Sequence, residues 1–124
     1  DVTVMAVGLM VQKALAAAEL LAGEGIDVRV VDMHTVKPLD TELVLRCARE
    51  TGCIVTTEEH NIVGGLGEAV CACVAEGCPV PVLRHGVADV FGRSGKAEQV
   101  LEYYGLTAEG IADHCRRAVA LKKG

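Results

Sequence analysis

Aromatic side chains are nearly missing from this chain. Its 124 residues include one Phe, two Tyr and no Trp, so it offers few platforms on which nucleobases stack. Basic charge is also in short supply. Twelve Lys and Arg stand against 17 Asp and Glu, a net charge of −5 with His neutral, which argues against a nucleic-acid or anionic-membrane surface. No apolar run reaches the roughly 18 residues that a membrane span needs. The six cysteines are Cys47, Cys53, Cys71, Cys73, Cys78 and Cys115. No two form a Cys-x-x-Cys pair, so zinc-ribbon and thioredoxin-like chemistry lack their spacing. Cys71 and Cys73 share a helical stretch two residues apart, which points them to nearly opposite sides. All six are therefore expected to be reduced, mostly buried small hydrophobes of a cytosolic protein.

What is present is a regular alternation of strand-like and helix-like runs. Val2 to Val7 reads as a first strand, and the chain enters it directly from Asp1, as expected of a domain cut from a longer polypeptide. Leu9 to Ala22 reads as a helix with its apolar residues at Val11, Ala14, Leu15, Ala18, Leu21 and Ala22. Ile26 to Met33 is almost continuous Val and Ile, the pattern of a strand covered on both faces. Asp40 is placed to cap a helix over Thr41 to Thr51, with Leu39 poised to pack on Val44 and Gly52 as the stop. Cys53 to Thr57 is a third strand, and Leu66 to Glu76 a third helix. Pro79 to Gly86 is a fourth strand with an edge-like start at Pro79 and Pro81. Phe91 to Gly95 reads as a turn and Ala97 to Tyr104 as a short helix. Thr107 caps a last helix, Ala108 to Leu121, striped by Ile111, Cys115, Ala118 and Val119, with Lys122 and Lys123 favouring its carboxyl end. This order requires right-handed crossovers. The expected fold is α/β: a three-layer sandwich of helices on both faces of a mostly parallel sheet of about five strands, in a single domain over residues 1–124.

The densest stretch is the connection from the third strand to the third helix. Thr57-Glu58-Glu59-His60 ends the strand, and Gly64-Gly65-Leu66-Gly67 opens the helix. Polar groups at the carboxyl end of a strand face the crevice in which open α/β sheets hold their ligands. A dinucleotide fingerprint fails, because counting from Gly65 puts Val70 where Gly or Ala belongs. The glycines then serve a sharp turn and close helix–strand packing. An anion at the helix start is the rival, favoured by free N–H groups and opposed by Glu68 in the first turn. Glu58, Glu59 and His60 are residue types for acid–base chemistry or metal ligation. Three neighbours in extended chain point alternately, however, so only Glu58 and His60 share a face. A structural or interface hydrogen-bonding role is the expectation. Ser94 sits in a turn pattern, and Gly95-Lys96 lacks the upstream glycine of a phosphate loop. His34, Lys37, Arg84, His85 and Arg93 fall at strand ends or loops and are expected at the solvated surface, with partial burial at a subunit contact as the alternative for His85.

Four stretches together resemble the carboxyl-terminal domain of transketolase, particularly as a separate subunit of split bacterial enzymes. They are Val31-Asp32-Met33-His34-Thr35-Val36-Lys37-Pro38-Leu39-Asp40, the Thr57–Val70 corner, Phe91-Gly92-Arg93-Ser94-Gly95 and Tyr104-Gly105-Leu106-Thr107. The resemblance implies an enzyme that moves a two-carbon ketol unit between sugar phosphates with thiamine diphosphate and a divalent metal, Mg2+. It also implies that this domain holds neither group. The family's metal site uses a Gly-Asp-Gly segment, which this chain lacks, and the activating glutamate belongs to a pyrimidine-binding domain, missing here, that precedes this one. The implied partners are that pyrimidine-binding domain and an amino-terminal cofactor-binding subunit, in a homodimer or heterotetramer. No catalytic residue carries over. Glu58, Glu59, His60, Gly64, Gly65 and Gly67 are expected as a structural or contact motif. Related domains occur in deoxyxylulose-phosphate synthases and in beta subunits of 2-oxoacid dehydrogenases, where the domain docks onto an acyltransferase core. A third reading is a regulatory anion-binding module built from Gly64 to Gly67 with Arg84 or Arg93.

Overall fold

A computed structural model describes residues 1–8, 10–33, 40–58, 65–85 and 107–123. Among the described residues, four strands and four long helices alternate: β1 Val2–Ala6, α1 Met10–Ala22, β2 Val28–Asp32, α2 Thr41–Thr51, β3 Ile54–Thr57, α3 Leu66–Gly77, β4 Val82–His85 and α4 Ala108–Lys123. All pairings are parallel, in the order β2-β1-β3-β4. About five strands are expected from the sequence; the described residues contribute four. The Phe91–Gly95 turn, the Ala97–Tyr104 helix and the Leu39 staple lie outside the described residues.

Alternation along the central strands sorts the core into two layers. Val2, Val4, Ala6, Cys53 and Val55 face α1 and α4, where Met10, Ala14, Ala17, Leu21, Ile111, Ala112, Cys115 and Ala118 meet them. Met5 and Ile54 face α2 and α3, where Val44, Cys47, Ala48, Leu66, Val70 and Val74 meet them. Strands β1 and β3 are buried throughout because both faces are covered. This is the expected three-layer sandwich.

Two packing expectations are corrected. The apolar run of the second strand suggests cover on both faces; Val28 and Val30 do pack against one core layer and Val31 against the other, but β2 is an outer strand of the described sheet and is only partly buried, with Arg29 and Asp32 at the surface. Arg29 there pairs with Glu50 at 2.6 Å. In α1 the buried stripe is Met10, Ala14, Ala17 and Leu21, while Leu15 is 47% exposed. Ala and Leu occur on every side of this helix, so its sequence scarcely marks which side is inside.

Helix ends are closed by specific side chains. Asp40 accepts a hydrogen bond from the Leu43 N–H at 3.1 Å, as an N-cap should. Thr107 accepts one from the Gly110 N–H at 3.1 Å. Gly52 ends α2 in the left-handed region, φ 79°, and donates to the Ala48 carbonyl at 3.0 Å. Lys122 does not serve its own helix end. It reaches across to the end of α2 and donates to the carbonyl oxygens of Thr51 at 2.7 Å and Asp1 at 2.5 Å. A Cβ at Gly52 would lie 2.8 Å from the Lys122 Cδ.

Candidate functional site

The carboxyl ends of β3 and β4 carry Thr57, Glu58, Arg84 and His85, and α3 begins beside them. Strand β3 continues straight into Glu58, whose N–H donates to the His85 carbonyl at 3.2 Å. One further alternation turns the Glu58 side chain to the α3 face. There its carboxylate accepts from the backbone N–H of Leu66 at 3.1 Å and of Gly67 at 3.3 Å. Glu58 is 6% exposed. A carboxylate at a helix amino end satisfies two otherwise orphaned donors and complements the positive end of the helix dipole. Gly65 at the N-cap position is extended and has no side chain to do this, so the cap comes from Glu58, eight residues before Leu66.

Gly67 explains how the helix comes so close. A Cβ there would stand 2.8 Å from the Cγ and Cδ of Arg84 and 2.9 Å from the Thr56 Oγ1. Real Cβ atoms do not approach that closely, so α3 rests against β3 and β4 through a missing side chain. Arg84 lays its stem along this contact while its residue stays exposed at the surface, as expected. Gly67 is thus the glycine that the contact requires, whereas Gly65 is ordinary extended backbone.

On the opposite face of the same strand ends lies a second polar group. Thr57 and His85 are in register across β3 and β4. The Thr57 Oγ1 and the His85 Nδ1 are 2.9 Å apart, and both residues are buried. The His85 ring packs edge-to-face on His114 of α4, with centroids 4.7 Å apart. His114 Nδ1 donates to the Gly110 carbonyl at 2.9 Å. The solvated surface expected for His85 is therefore corrected. It is buried within this chain, because β4 turns odd-numbered side chains toward α4. Nothing local in the sequence links positions 57, 85 and 114. Only the strand register and the docking of α4 bring them together.

Of the expected motif, Glu58, Gly65 and Gly67 are described and converge at the start of α3. Glu59, His60 and Gly64 lie outside the described residues, as do Arg93, Lys37 and His34. No group of three His, Cys, Asp or Glu among the described residues is arranged to hold a metal ion. The anion reading loses two of its donors, since Glu58 already holds the Leu66 and Gly67 N–H groups. A diphosphate placed there would meet the Glu58 and Glu68 carboxylates at short range, so these residues do not fit one.

All six cysteines are free, as expected. Cys47, Cys53 and Cys115 are buried and the other three half-buried. Burial pushes the Cys115 thiol up to about 12 and raises Cys53 as well. Thiols held protonated in this way are poor nucleophiles and poor metal ligands. No described helix is long and apolar enough to cross a membrane.

Comparison with known proteins accounts for the architecture. The family described as transketolase, C-terminal domain, matches residues 1–111. The chain is 52% identical over 111 residues to a 6-deoxy-6-sulfo-D-fructose transketolase subunit of Clostridium sp. (strain MSTE9), covering 90% of this chain and 34% of that protein. It is 44% identical over 125 aligned positions to the 1-deoxy-D-xylulose-5-phosphate synthase of Syntrophotalea carbinolica, covering 100% of this chain and 20% of that one. Among solved structures, a split-gene transketolase described as an inactive beta4 tetramer superposes with a TM-score of 0.93 at 50% identity, over 98% of this chain and 40% of its own. This chain thus spans about a third of the transketolase subunit and a fifth of the synthase. With the parallel sheet, the glycine contact at α3 and a family match over nine-tenths of its length, the chain belongs to the transketolase C-terminal domain family.

Proposed function

We propose that this chain is the carboxyl-terminal, non-catalytic part of a thiamine diphosphate-dependent transketolase of the split-subunit kind, acting in the cytoplasm. The complete enzyme would move a two-carbon ketol unit between sugar phosphates. This part would support the assembly by packing against its pyrimidine-binding domain and, through it, against an amino-terminal cofactor-binding subunit. One observation carries the division of labour. The helix start that could have cradled a phosphate is filled by the protein's own Glu58. The missing Gly-Asp-Gly segment supports the same reading for the metal. The corner of Glu58, Glu59, His60, Gly64, Gly65 and Gly67 then serves packing and contact. Multi-subunit assembly is supported by the tetrameric description of the similar split-gene protein.

The test is a reconstitution. The isolated chain, given thiamine diphosphate, Mg2+, xylulose 5-phosphate and an aldose acceptor, is expected to show no ketol transfer. The full-length subunit carrying this domain, mixed with its cofactor-binding partner, is expected to turn over. Activity of the isolated chain above background would overturn the proposal. A second reading is favoured by the alignment to the synthase across the entire chain. If it holds, the complete protein forms 1-deoxy-D-xylulose 5-phosphate and transfers no ketol group between sugar phosphates.

A further inference from the structure

We draw no further inference here: the strongest candidate, the apolar groove of about 300 Å3 between α3 and β4 lined by Cys71, Val74, Ala75, Pro79, Val80 and Val82, carries nothing because nothing in the structure shows what covers it.

Discussion

The two ends of strand β3 solve one problem with opposite charges. At its amino end, α2 has just finished, and its last carbonyl groups need donors. Lys122 supplies them from the far terminus of the chain, bonding Thr51 and Asp1. At its carboxyl end, α3 is about to start, and its first N–H groups need acceptors. Glu58 supplies them from the strand itself. A cation meets the negative end of one helix dipole and an anion the positive end of the next. Each contact also depends on a glycine, Gly52 beside Lys122 and Gly67 beside Arg84 and Thr56. The difference is solvent. Glu58 is 6% exposed, whereas Lys122 is half-exposed. Water reaches Lys122 at the amino end more readily than Glu58 at the carboxyl end. The two ends should therefore differ in what they cost to break.

The sharpest break is at Glu58. Glu58→Ala leaves two buried N–H groups without an acceptor, and each orphaned buried group costs about 1–3 kcal/mol. Cavity formation adds to this, so the expected loss is about 3 kcal/mol in chemical denaturation. Glu58→Gln keeps one acceptor oxygen and should lose roughly half as much. A loss under about 0.5 kcal/mol for the Ala variant, in the range of an ordinary surface substitution, would show that water reaches the α3 start and that the two ends are alike. At Gly67, a valine would overlap the buried Thr56 hydroxyl, and overpacking of this kind costs roughly 1–3 kcal/mol.

This contrast separates what the residues disclose locally from what they do not. The α2 cap was legible because Asp40 and Gly52 flank the helix they close, within one turn. The α4 stripe of Ile111, Cys115, Ala118 and Val119 was legible because polar residues separate it from the outer face. Of the corner glycines, Gly67 was legible as a close-packing device, though its partners Arg84 and Thr56 were not. The Lys122 contact was hidden because its partners lie 71 and 121 positions away. Burial of His85 was hidden for the same reason, since it depends on the β3–β4 register and on α4. The cover expected over β2 is only partial because Val and Ile suit a half-covered outer strand as well as a buried one. The cap role of Glu58 also escaped, because alternation gives the face of a side chain and not what stands opposite.

The second break is milder and probes the amino end. Lys122→Met removes the donor but keeps much of the stem, with an expected cost of about 1 kcal/mol. Gly52→Ala forces a Cβ into the left-handed region, which costs roughly 1–2 kcal/mol, and pushes on the Lys122 Cδ. Both changes disturb the same contact. The double variant should therefore lose less than the sum of the two, by about 0.5 kcal/mol or more. Strict additivity in a thermodynamic cycle would mean that Gly52 matters only for its own backbone, and the pairing of glycine with charge would fail at this end.

A third break acts through pH. The thiols of Cys53, just before β3, and of Cys115 on α4 are raised by burial, Cys115 to about 12. The unfolded chain releases a cysteine proton near pH 8.5, whereas the folded chain holds it. Above that value the unfolded state binds fewer protons, so stability falls as pH rises, and the fall continues until the folded thiol also ionises near 12. The Cys115 thiol so held should cost roughly 2 kcal/mol by pH 10. Other groups titrate in this range, so the informative quantity is the difference between the wild type and Cys115→Ala. The variant should start less stable at pH 7 and lose less between pH 8 and 10. Parallel pH profiles would mean that Cys115 reaches solvent as a thiolate in the folded protein.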